Sequence, residues 1–140
     1  MQTDTYYSND TYYFITIIIV CVATIFIYGK YRCDHKDYKD PLQFHIYGDL
    51  DGWSLTHFTF YFLLGYFFPN YVYYSFILGV LWELFEDYSG KYEPKILDGW
   101  GFCSVHTDRQ DGKWWYGKTT DILMNTLGLY VGYHIRQMKS

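Results

Sequence analysis

The sequence predicts an all-α fold: an integral membrane bundle of four transmembrane helices, forming one domain over residues 1–140. Three observations carry that prediction. A chain of 140 residues has room for a single domain. Aromatic residues make up 24% of it, 18 of them Tyr, a residue enriched with Trp where a bilayer meets water. Four segments are largely apolar, and the last three leave almost no helix face polar enough to meet water; the alternative is that these three are buried helices of a soluble protein. The mean hydropathy of -0.15 hides this, because the scale scores Tyr as polar and two long hydrophilic segments dilute the rest. The net charge of -4 is mild, and no basic block points to nucleic acid.

The first segment, "YYFITIIIVCVATIFIYG" (Tyr12 to Gly29), is uncharged and about long enough to span a bilayer. Acidic residues precede it and no small-x-small site follows, so it reads as a permanent anchor rather than a cleaved signal. Two segments follow as a hairpin about Pro69-Asn70, a strong turn signal: "WSLTHFTFYFLLGYFF" (Trp53 to Phe68) and "YVYYSFILGVLWELFE" (Tyr71 to Glu86). Each would be about 24 Å long, short for a core of ~30 Å, so a thinned bilayer or a re-entrant hairpin is implied. The fourth segment, "TTDILMNTLGLYVGYHI" (Thr119 to Ile135), carries Gly128 and Gly132 in a small-xxx-small pattern that lets helices approach closely. The same pair offers a surface for a homo-oligomer.

Orientation follows from Lys and Arg. Residues 30–52 carry Lys30, Arg32, Lys36 and Lys39, and residues 87–118 carry Lys91, Lys95, Arg109, Lys113 and Lys118. Only Arg136 and Lys139 lie elsewhere. This bias predicts cytoplasmic long loops, with both termini outside or lumenal. The sequon at Asn9 sits so close to the first span that it is expected to be unused.

Helical spacing then aligns Ser54, His57, Tyr61, Gly65 (or Leu64) and Phe68 on the second segment. On the third it aligns Ser75, Gly79, Trp82/Glu83 and Glu86, and on the fourth Asp121, Asn125, Gly128 and Gly132. With the predicted topology, His57, Glu83, Glu86, Asp121 and Asn125 fall at one depth. An ionisable residue inside a membrane is by default a functional one. The catalytic reading makes His57 an acid/base, Glu83, Glu86 and Asp121 bases or metal ligands, and Asn125 an orienting group. The competing readings are hydrogen-bonded helix glue, and charges in the head-group zone, with Asp121 favoured near a helix N-terminus. Which of Glu83 and Glu86 faces inward is open at this point, as are the metal and any other cofactor.

"LTHFTFYFLLG", "WELFED" and "DILMNTLGLYVG" resemble the signature of VanZ-like membrane proteins. In that signature a His opens one helix, a Glu closes the next, and D-x-x-x-N-x-x-G opens the last. The matching positions are His57 and Tyr61, Glu83 or Glu86, and Asp121, Asn125 and Gly128. The stretch Asp51 to Tyr133 is also similar to a group of small bacterial membrane proteins of unassigned function, which pair D-W/Y-S-x-S-H with W-E-x-x-E-N; here Asp87 replaces the final Asn. VanZ-like proteins are associated with teicoplanin resistance in some bacteria. The resemblance implies a small multi-pass protein with a polar site, and no particular reaction.

Cys33-x-His35 and Cys103-x-x-His106 lie on one side and have the inventory of a zinc site, with His45 equally available, although not in finger spacing. Reduced thiols are the expectation for cytoplasmic loops; an inverted topology would make Cys33–Cys103 a plausible disulfide. Trp100, Trp114, Trp115 and Tyr116, beside Lys113 and Lys118, suit a connector lying on head groups, or a lid over the polar site. No phosphate loop, nucleophile elbow or H-E-x-x-H is present. Three function classes remain: a site acting on a membrane lipid or head group, a non-catalytic structural or assembly component of a cellular or viral membrane, and, least supported, a small transporter or channel.

Overall fold

The computed structural model describes residues 2–35, 38–104 and 115–139. Lys36, His106, Arg109, Lys113 and Trp114 lie outside the described residues. Four α-helices dominate: α1 (Gln2–Asp34), α2 (Gly52–Phe67), α3 (Val72–Tyr92) and α4 (Thr119–Lys139). All four expected segments are helical. Their ends differ from expectation: α1 runs on through Asp34, and α3 continues past Glu86 to Tyr92. The αL residue Glu93 (φ 46°) then ends α3, its N–H bonding the carbonyl of Ser89, and Pro94 follows. Inside the first long loop an unexpected ribbon forms, β1 (His45–Tyr47) paired antiparallel with β2 (Leu50–Asp51). Gly48 turns it with φ 57°. Asp51 closes the ribbon and caps α2, its side chain accepting from the N–H of Ser54 at 3.0 Å.

The α2–α3 hairpin turns through a single 3-10 turn at Pro69–Tyr71, the position the sequence indicates. Helices α2 and α4 cross so closely that side chains are excluded. A methyl group at Gly128 would strike the carbonyl of Phe58, one at Gly132 that of Phe62, and one at Gly65 that of Leu129. Gly128 and Gly132, expected to offer a surface to a second copy, are buried against α2 of the same chain. A small apolar core of Phe14, Tyr61, Leu64 and Leu129 sits beside this crossing.

Polarity is inverted relative to a water-soluble bundle. Ser54, Ser75, Glu83, Ser89, Asp121 and Asn125 are buried, while Ile19, Ile27, Leu81, Leu84, Leu123 and Tyr130 are exposed. Among the described residues one helix is long and apolar enough to cross a membrane, Asn9–Asp34 within α1. The shorter α2 and the acid- and Tyr-bearing α3 and α4 do not reach that standard.

Helix α1 is fastened at two places. In its first half Phe14 stacks on Tyr71 at 4.7 Å between ring centroids. Near its end Arg32 forms a buried ion pair with Asp40 at 2.7 Å. The other donors to Asp40 are Tyr28 Oη (2.9 Å), Trp53 Nε1 (2.8 Å) and the Leu42 N–H (2.8 Å). Next to Arg32, Cys33 is disulfide-bonded to Cys103, with Cα atoms 5.7 Å apart. This corrects the expectation of reduced thiols: Arg32 fastens the end of α1 to the loop before α2, and Cys33 fastens it to the loop after α3. A zinc site using both thiolates is excluded with it, since neither sulfur is free to ligate. Trp115 corrects a second expectation. Rather than lying on a head-group surface it is 2% exposed, packed edge-on to Phe26 at 4.9 Å and against Phe85. Its ring leaves no room for a side chain at Gly101. Trp100 and Tyr116 remain partly exposed.

Candidate functional site

The end of the bundle that holds the α2 and α4 N-termini and the last turns of α1 and α3 gathers the polar side chains. On α2, Ser54 is fully buried, and its hydroxyl donates to Asp121 Oδ1 of α4 at 2.6 Å. One turn on, His57 Nδ1 lies 2.9 Å from Asn125 Oδ1 of α4. On α3, Glu83 is 2% exposed. Its Oε2 accepts the N–H of Lys118 at 3.1 Å, and its Oε1 lies 3.6 Å from His57 Nδ1, beyond hydrogen-bond reach. Among the described residues, Glu83 Oε1 and Asn125 Nδ2 are buried atoms without a hydrogen-bond partner.

The structure therefore brings together all five residues that helical spacing singled out. It also resolves which glutamate lies deeper: Glu83 is the inward one, and Glu86 is half-buried toward a cavity. One ligand atom each from His57, Glu83 and Glu86 lies within 4.8 Å of the others. Asp121 is more remote in role, being held by Ser54.

Sequence reasoning missed the part played by Lys118 and Asp51. The Lys118 ammonium pairs with the Asp51 carboxylate, tying the start of α4 to the start of α2. Partial burial alone would push the Asp51 carboxyl up, but hydrogen bonds from Lys118 and Ser54 hold it below the ordinary value. Burial likewise opposes the charge on Lys118, and the bond to Asp51 outweighs it, so its pKa is raised. Lys118 thus acts twice, giving its N–H to Glu83 and its charge to Asp51. A D-x-x-S step with Ser as the third helical residue was the available signal for the cap; nothing in the sequence signals the Lys118 N–H.

Beside these groups lies a cavity of about 660 Å³ bounded by α1, α2 and α3. Its walls are apolar, with Ile18, Ile25, Phe60, Leu78 and Leu81 among them, and it meets His57, Glu86, Asp121 and Lys118. An apolar cavity ending on a few convergent polar groups is the usual form of a small-molecule site. Chemically, His57 can take or give a proton there. Asn125 fixes the ring orientation, and the carboxylates supply negative charge.

The chain matches no family model, no curated protein and no solved structure. Function is therefore read from geometry and from the residues themselves.

Proposed function

We propose that this chain is a four-helix integral membrane protein, VanZ-like in character, that binds a membrane-borne molecule. The apolar chain lies in the α1–α2–α3 cavity and the head group meets His57, Glu86, Asp121 and Lys118. The cavity carries this reading, because its long apolar walls end on charged and titratable groups. The inverted polarity supports a lipid surround for all four helices, since exposed Ile, Leu and Tyr enclose buried Ser, Asn and carboxylates. His57 acts as the acid/base, oriented by Asn125 and facing Glu83.

For sidedness, two observations pull apart. The Lys/Arg bias favours cytoplasmic loops. The disulfide favours an oxidising compartment, such as a periplasm, a lumen or an exterior surface. We give the disulfide the greater weight, as a bond between two defined atoms set against a bias of insertion. On this reading the polar site faces the oxidising side.

A non-catalytic structural or assembly role has its own support. Ser54–Asp121 joins α2 to α4, and Glu83 joins α3 to the chain entering α4, which is what helix glue would do. Native mass spectrometry of the detergent-purified protein separates the two. Retention of one lipid class, reduced by Leu81→Trp in the cavity wall, is the expected outcome. Bound lipid that mirrors the bulk membrane and ignores Leu81→Trp would leave the structural role standing.

A further inference from the structure

We propose that His57, Glu83 and Glu86 form a binding site for a divalent first-row transition ion of the zinc or manganese class. Their ligand atoms already lie within 4.8 Å of one another, so a modest contraction brings all three to about 2.0–2.2 Å from one cation. Proximity of acids alone would be weak ground, and two further observations point to an occupant. Glu83 Oε1 is buried and accepts no hydrogen bond; the nearer part of His57 is Nδ1 at 3.6 Å, which Asn125 engages, so Nε2 is the ring nitrogen left for an ion. An anionic oxygen removed from water without a hydrogen bond is costly, and a bound cation would offset that cost.

The second observation is the local charge. Glu83, Glu86 and Asp121 bring three carboxylates to one end of the bundle, and the nearby ammonium of Lys118 is bound to Asp51 instead. A divalent ion between the two glutamates offsets their mutual repulsion across a single turn of α3.

The donor set selects the ion. One imidazole with two carboxylates suits zinc or manganese, whereas calcium and magnesium favour all-oxygen shells. Metal-bound histidines donate their second ring N–H to a fixed acceptor, and Asn125 Oδ1 is placed to serve as one. Three protein ligands leave a coordination position open. Because His57 and Glu86 also line the cavity, that position would face a head-group oxygen. This last point rests on the head-group reading; metal binding does not.

The test uses the full chain, purified in mild detergent without a metal-binding tag, stripped with chelator and titrated with zinc, manganese and cobalt(II). The expected result is one tight equivalent. Its cobalt spectrum should have the intensity of a four- or five-coordinate site and no sulfur-to-metal charge transfer. His57→Gln and Glu86→Gln should each weaken binding by about tenfold or more. Only trace metal in the wild type, or binding indifferent to both substitutions, would overturn the proposal. If either variant fails to fold, the wild-type cobalt spectrum decides: a sulfur-ligated or six-coordinate aquo-like spectrum is equally fatal. Lipid retention without metal removes this inference and leaves the head-group reading in place; metal without lipid does the reverse.

Discussion

Two buried carboxylates near the same end of the bundle are completed to different degrees. Asp40 has both oxygens doubly engaged, by Tyr28 and Leu42 on one and by Arg32 and Trp53 on the other. Glu83 is at least as deeply buried, yet one of its oxygens has a single backbone donor and the other has none. Native proteins satisfy nearly all their buried polar groups, and exceptions collect where something other than stability is selected. The contrast separates a carboxylate that fastens α1 from one whose hydrogen bonding is incomplete.

The strongest way to break this comparison is to neutralise each carboxylate with its own amide. Asp40→Asn removes the negative charge facing the buried Arg32 guanidinium and should cost about 3–5 kcal/mol. Glu83→Gln should leave thermal stability in detergent level or raised, because it relieves an incompletely solvated charge. Equal losses in the two melting curves would make the centres alike and leave Glu83 as helix glue.

A somewhat smaller effect sharpens the fastening side of the contrast. Reducing the Cys33–Cys103 bond should lower stability by about 2–4 kcal/mol, since it closes a long loop in the unfolded chain. Melting with and without reductant measures this, and the Cys33→Ala/Cys103→Ala double variant should be insensitive to reductant. A wild type equally insensitive would mean that the bond is not formed in the purified protein.

The smallest effect concerns Asp51 and Lys118, which lie between the two centres. Asp51 titrates below its ordinary value, so its contribution is present above about pH 4 and is lost as pH falls through the folded pKa. Lys118 titrates above its ordinary value, so its share is present below about pH 10 and is lost as pH rises through the folded pKa. Both groups keep partial solvent contact, which limits the pair to under about 1 kcal/mol. Asp51→Asn retains the cap on α2 and should flatten the acid side of the pH–stability curve by that amount. A larger change would mean that charge pairing, rather than packing, holds the site together.

The parts of this molecule legible in its sequence are those governed by helical period. Ser54 and Tyr61, Ser75, Gly79 and Glu83, and Asp121, Asn125, Gly128 and Gly132 all fall on buried faces because spacing by three and four residues aligns them whatever the tertiary detail. Asp40 was not legible. Its partners come from α1, from α2 and from the next turn of its own loop, and no periodicity joins them. The disulfide was hidden for another reason: whether two cysteines pair depends on the compartment, and the Lys/Arg bias assigned a reducing one. Trp115 was misread because an aromatic near a membrane boundary looks the same in sequence whether it faces head groups or fills a bundle end. Lys118 illustrates a further limit, since a backbone N–H carries no residue-specific mark.

The Cys33–Cys103 bond also acts as a parity rule. Two bonded cysteines occupy the same side of any membrane the chain crosses, so the number of crossings between residues 33 and 103 is even. Helices α2 and α3 lie in that interval and α1 and α4 flank it. Either both members of the α2–α3 hairpin traverse the bilayer or neither does, and every odd-numbered arrangement of that interval is forbidden. If α1 and α4 each cross once, the two termini share a side under both permitted arrangements. A reporter fused to one end of the chain then locates the other.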